Sequence, residues 1–374
     1  MNMLFIFGIF AFIMFVVLHE FGHMVASKRN GVVVEEFGVG FPPRAWGKKL
    51  RKKKGDDTLY SLNWLPLGGF VKLKGEHDDA TEKGSFGAAS LKTKVKILLA
   101  GVGMNFLTAW VLLTGLFLVG APKLPFESLP FYGKEQSVIQ SDTKTVASKT
   151  YVGEVSKNSP AEKAGLEFGD VILSLNGQVP GDELTLNELT KKYAGQKVKL
   201  KFEDESSRED RVVEVQLRED GESGGVLGVG VAQTVKFKST WSAPINAITT
   251  MYQSTEATFR GIGYAFSSVV HGESEKAGDV VGGPVATVDA IKNVSRSGFP
   301  DLVLLIALIS LSLGIMNVLP IPALDGGRLF LILLFRLKGK VLTKEKEEKI
   351  NAWGMGFLLI FILLITVVDV RRLF

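Results

Sequence analysis

His19, Glu20 and His23 stand in the string His19-Glu20-Phe21-Gly22-His23, and this spacing can do chemistry. Residues four apart share one face of a helix, so two imidazoles can meet one cation while the glutamate beside them is directed toward a bound water. The chain holds four histidines, His19, His23, His77 and His271. Chance delivers the pattern in roughly one such sequence in several hundred, so coincidence explains it poorly. A catalytic zinc site needs three protein ligands and one open position. With no cysteine anywhere, the third ligand is His, Asp or Glu; disulfide-stapled folds, thiol catalysis and iron–sulfur clusters are excluded. A pair of hydrogen-bonded structural histidines is the rival reading of the same residues.

The elements that must position this motif are apolar. Of 374 residues 46% are hydrophobic and 22% charged, and the mean hydropathy is +0.21, too high for an ordinary soluble protein. Met3 to Leu18 carries no charge, and with His19 to Val25 it is long enough to cross ~30 Å of hydrocarbon at ~1.5 Å per residue. No basic residue precedes this run and no small-x-small cleavage site follows it, which argues for a spanning helix over a signal peptide. Val95 to Gly120, Leu302 to Pro320 and Trp353 to Val368 read as three further spans, whereas Leu329 to Phe335 is too short. Four crossings put 26–94 and 336–350 on one side and 121–301 on the other. Lys28, Arg29, Lys92, Lys94 and Lys96 flank the first two spans, and Arg336, Lys338, Lys340, Lys344 and Lys346 crowd the short loop, so those segments are expected in the cytoplasm. Arg371 and Arg372 run against the trend. The net charge of +5 is modest and sits mostly in 28–54 and 336–349; the lipid bilayer, not nucleic acid, is the expected surface.

Direction narrows the third ligand. His77 and His271 fall in loops on opposite faces of the membrane and read as solvated. Asp325 follows the third span in Asn317-Val318-Leu319-Pro320-Ile321-Pro322-Ala323-Leu324-Asp325-Gly326-Gly327. The first and third spans both run inward, so His19, His23 and Asp325 can share a depth, whereas Asp369 falls at the outer end and is rejected. Pro320, Pro322 and the glycine pair are expected to break the helix around Asp325 and free backbone groups for an extended peptide. A plain helix stop with a solvated aspartate is the alternative.

Between the spans, 32–74 reads as short strands and turns. Its stretch Leu62 to Phe70 is either a β-hairpin dipping into the membrane or an ordinary cytoplasmic loop. In the outer segment, Tyr151 to Val155, Ser159 to Leu166 and Gly169 to Gly177 give strand, capped helix, strand and turn, with Asn176-Gly177 as a hairpin signal. This string resembles the PDZ domains of bacterial proteases. Gly225 to Val229, with Leu227 and Gly228 at its centre, looks like the loop with which such domains receive a peptide carboxy-terminus; a module that only blocks access is the competing view. Ala243 to Val269 suggests amphipathic helices on the outer surface or packed on that module.

The whole chain resembles the site-2 protease family of intramembrane zinc metalloproteases. The likeness rests on His19-Glu20-Phe21-Gly22-His23, on Asn317 to Gly326, on Gly101-Val102-Gly103-Met104-Asn105 and on the outer module. The nearest branch is the bacterial sigma-factor-regulating one with a single PDZ domain. The resemblance implies that His19, His23 and Asp325 bind Zn2+, that Glu20 is general base and acid, and that Asn317 contacts the substrate backbone beside Pro320, with Asn105 shaping the site. It further implies a multi-pass protein of the bacterial cytoplasmic (inner) membrane that cleaves single-span proteins such as anti-sigma factors or signal-peptide remnants after their outer domain is shed. Gly69 and Phe70, in the stretch Leu67 to Leu73, are the candidates for pairing with an unwound substrate by strand addition. The expected fold is a multi-span α-helical membrane protein of about four transmembrane helices with a membrane-associated β-hairpin and an extracytoplasmic α+β PDZ domain. Its expected parts are 1–120, 121–232 (PDZ), 233–300 (amphipathic) and 301–374. A PDZ adaptor with a structural metal would need a fourth ligand, and a metal transporter would want polar residues along several spans or internal repeats; neither is visible.

Overall fold

The computed structural model describes residues 3–49, 57–180, 185–205, 207, 209–221, 225–271 and 282–373. In chain order its first half holds α1 (Met3–Arg29), β1 (Val34–Lys49), β2 (Leu59–Leu73), α2 (Leu91–Val119), β3 (Ala121–Pro122), β4 (Lys144–Val155), α3 (Pro160–Lys163) and β5 (Val171–Leu175). Then come α4 (Leu186–Lys192), β6 (Lys197–Glu203), β7 (Asp210–Gln216), β8 (Val229–Lys238), α5 (Ala243–Val270), α6 (Pro284–Ser297), α7 (Phe299–Val318), α8 (Asp325–Leu337) and α9 (Lys344–Leu373). Two compact units result: Met1–Leu116 with Pro125–Val138 and Ser242–Phe374, and Phe117–Leu124 with Ile139–Trp241.

In the first unit α1, α2, α7 and residues Lys344–Arg371 of α9 are long and apolar enough to cross a membrane. Their ends follow local chemistry. α1 stops where the Asn30 side chain donates to the Ala26 carbonyl (2.8 Å) and Gly31 turns to φ +77°, with Lys28 and Arg29 in the last turn. α2 begins at Leu91, ahead of the expected Val95, because the Ser90 hydroxyl accepts from the Thr93 amide (3.3 Å). α7 stops at Val318 because Leu319, before Pro320, is extended. Neither α5 nor α6 is both long and apolar enough by that measure; α5 lays Ile248, Tyr252, Phe259 and Phe266 along an exposed face. Asp369 is buried and accepts from the amides of Gly283 (3.1 Å) and Ala286 (2.9 Å), so it caps α6.

The region expected as short strands is two long ones wound on each other. Val34–Val39 pairs with Gly69–Leu73 on one side and with Leu59–Leu62 on the other, and Leu59–Leu62 pairs again with Trp46–Lys49. Gly68, at φ +102°, lets β2 pass α1 so closely that a Cβ there would lie 3.1 Å from Val16. The Phe37 ring packs edge-on to Phe21 of α1, whereas Trp46, Leu62 and Trp64 at the far end of the sheet are exposed.

The second unit is an antiparallel sheet of order β3-β8-β4-β5-β6-β7. Alternation along β6 buries Val198, Leu200 and Phe202 with Leu175 and Leu189. Ser159 caps α3 by accepting from the Glu162 amide (3.1 Å), Pro160 follows, and Gly165 takes φ +75°. Asn176-Gly177 does turn with both φ positive, yet it closes only the bridge between Leu175 and Gln178 before the chain leaves for α4. β8 continues to Lys238, so the segment that begins at 233 opens as sheet and becomes helix only at Ala243.

Candidate metal centre

Helix α1 carries His19 and His23 on one buried face, and each imidazole is fixed through Nδ1. His23 Nδ1 donates to the Ile97 carbonyl of α2 at 2.7 Å. His19 Nδ1 lies 3.2 Å from the Asn105 carboxamide. The amide nitrogen faces the ring, and a half-turn of the amide would let the buried Oδ1, otherwise without a partner, accept the Nδ1 proton. Both Nε2 atoms are thereby left as acceptors facing one point. Asp325 reaches that point: its Oδ2 is 3.0 Å from each Nε2, and the two Nε2 atoms are 3.1 Å apart. Ligand atoms around a tetrahedral zinc with bonds of ~2.0–2.1 Å lie about 3.3 Å apart, so the triad fits the ion with little movement. Among the described residues no other cluster of His, Asp and Glu converges this way.

Glycines set the distances. A Cβ on Gly101 would lie 2.4 Å from His23 Nε2 and 2.8 Å from His19 Nε2, in the space a metal needs, and one on Gly22 would lie 2.5 Å from the Ala100 carbonyl. Hence α1 and α2 meet backbone to backbone beside the site. Gly101→Ala is expected to lose zinc and activity together while α2 still forms; metal content of the purified variant checks this. Gly326 and Gly327 do not break a helix, as the sequence had suggested, but form the first turn of α8. Cβ atoms there would strike the Val318 carbonyl (2.2 Å) and the Ile321 carbonyl (1.9 Å), so the chain before Asp325 can fold tightly onto the turn after it. Ala323 in this bend has φ +74°, and its amide donates to Asn351 of α9 (3.2 Å).

Glu20 is half-buried and lines one pocket with His23, Val71, Leu73, Glu76, Asp325 and Arg328. A backbone hydrogen bond runs from Val71 of β2 to Glu20. Gly69 is buried against α1, with its Cβ position 3.4 Å from Val17, and the half-buried Phe70 ring covers Gly38. Asn317 is half-buried in the last turn of α7, its side chain making no hydrogen bond to the described residues, and Pro320 is exposed. The amides expected to be free around Pro320 are spent: those of Leu319, Ile321 and Leu324 within the bend, that of Ala323 on Asn351. Leu227 and Gly228 belong to the other unit. The Leu227 side chain is buried in that unit's core and its carbonyl accepts from Ala161, while Gly228 at φ +78° leaves only 2.3 Å between its Cβ position and Ser159. His77 is not a solvated residue. It is partly buried with Nδ1 3.3 Å from Glu347, a contact across 270 positions that no local pattern announces. His271 is exposed as expected.

Two imidazoles and one carboxylate that converge on one point could hold a metal ion, and three such groups leave the fourth position that a hydrolytic centre keeps open. The chain belongs to peptidase family M50, which residues 7–361 match. It is 30% identical over 373 residues to the Clostridium acetobutylicum protein named "Putative zinc metalloprotease", covering 97% of this chain and 96% of that one. It is 26% identical to "Zinc metalloprotease RasP" of Shouchella clausii (98% of each chain) and 24% identical to "Regulator of sigma-W protease RasP" of Bacillus subtilis (96% of each). The protein is a site-2 type zinc metalloprotease of regulated intramembrane proteolysis.

Proposed function

We propose that this protease cleaves peptide bonds inside membrane-spanning segments of single-span bacterial proteins in the cytoplasmic membrane, anti-sigma factors or signal-peptide remnants among them, once their outer domains have been removed. The observation that carries this reading is the convergence of Asp325, at the start of α8, with His19 and His23 on a helix apolar enough to span. These three would hold zinc, which supplies Lewis acidity to polarise a peptide carbonyl and acidify water. Glu20 takes the proton of the attacking water and returns it to the leaving amine, held in line by Val71. Gly69 and Phe70 lie in the strand that runs past Glu20 into the pocket, a position suited to pairing with a locally unwound substrate; Asn317, with its amide uncommitted, suits a substrate carbonyl near the metal. The exposed Trp46, Leu62 and Trp64 support a hairpin that dips into lipid.

The six-stranded unit, with its Ser159-capped α3 and the Gly225–Val229 loop leading into β8, supports the PDZ reading. Loop charges favour placing it outside the cytoplasm, where it would bind a peptide carboxy-terminus or screen substrates by size. The name of the Bacillus subtilis relative supports the anti-sigma class. The test is cleavage of a single-span peptide in detergent. Chelator is expected to abolish it, and added zinc to restore it; cleavage that persists in chelator would overturn the assignment.

A further inference from the structure

The first turn of α8 carries the aspartate ligand, yet nothing in that turn anchors it: Gly326 and Gly327 have no side chains and the bend before them is left-handed at Ala323. The next residue is Arg328, one turn after Asp325 and in the same pocket. Its Nε makes an ion pair with Glu347 Oε1 of α9 at 2.8 Å, without the alignment of a hydrogen bond, its Nη2 donates to the Glu76 carbonyl, and its guanidinium lies 4.7 Å from the ring centroid of the fully buried Phe86. The Glu347 side chain is 3% exposed. A carboxylate that deep is costly unless paired and hydrogen-bonded, and its partners are Arg328 and His77. The same loop is tied again to the α8–α9 connection: buried Asp78 pairs with fully buried Lys94 and accepts from the Leu342 amide at 3.3 Å. The guanidinium is thus held by Glu347, the Glu76 carbonyl and the Phe86 ring, one helical turn after Asp325.

We propose that Arg328, clamped by Glu347, is the positioning residue that holds Asp325 on the metal. The inference rests on the ligand set proposed above. Full-length protein in detergent is titrated with zinc against a competing chelator, and the visible spectrum of the cobalt-loaded form is recorded. R328M is expected to weaken zinc by about 10–100-fold, the range for losing a group that orients a ligand. E347Q, near-isosteric, is expected to act in the same direction, and the double variant no more than the stronger single one, because the two act as one unit. R328K, which keeps the charge but not the fork, is expected to fall between. Changed cobalt bands in variants with unchanged helix content separate repositioning from unfolding, and E347Q decides should R328M fail to fold. Wild-type zinc affinity and cobalt bands in R328M and E347Q, with D325N impaired, overturn the proposal alone. Unchanged binding in D325N as well overturns the ligand set and the proposal with it.

Discussion

Glu20→Gln is expected to slow peptide-bond cleavage by about 10²–10⁴-fold, the usual share of a positioned proton-transfer group, while zinc content stays at the wild-type level. The argument is geometric. Glu20 lies between the two proposed ligands on α1 and faces the same pocket as Asp325, but it is not one of the three groups whose atoms converge. Gln has the same shape and its carbonyl can still accept from Val71. What it loses is the capacity to take and return a proton. Turnover of a membrane-embedded peptide, measured alongside metal content, separates the roles. Near-normal turnover would remove Glu20 from the chemistry; loss of zinc would make it a ligand.

Asp325→Ala is expected to lose both at once. Removing one of three ligands leaves two imidazoles, and zinc affinity is expected to fall by at least about 100-fold, the upper range for losing a mere supporting contact. Metal that binds only the folded state stabilises it by about 2.7 kcal/mol at one hundred times its dissociation constant. Zinc is therefore expected to raise the unfolding temperature of the wild type and leave that of the variant unmoved. A full zinc shift in the variant would sink the ligand assignment.

The parts of this site that could be read from the chain were those set by local repeats. His19 and His23 share a helix face because of their spacing, and the four spans follow from length and apolarity. Asp325 stood out by following the third span in a proline- and glycine-rich string, and direction checked it: two helices running the same way bring distant residues to one depth. What stayed hidden depends on contacts between remote positions. A glycine pair after a proline-rich bend looks like a helix break from its own neighbours. Only the carbonyls of Val318 and Ile321, packed where side chains would be, explain why it opens a helix. His77 and Glu347 look like surface residues until the fold buries them against each other. The double pairing of Leu59–Leu62 was equally out of reach, because alternation marks strands but not which edges meet.

The close contact of α1 with α2 bears on how a guest helix gets in. Gly22 rests on the Ala100 carbonyl, Gly101 on both imidazoles, Asn105 on His19, and the Ile97 carbonyl on His23. Parting these two helices would unseat both rings, so this seam is expected to stay closed to a substrate helix. Lateral admission falls to the other walls, and substitutions that loosen those, with the seam left intact, are the ones that alter traffic without costing the metal.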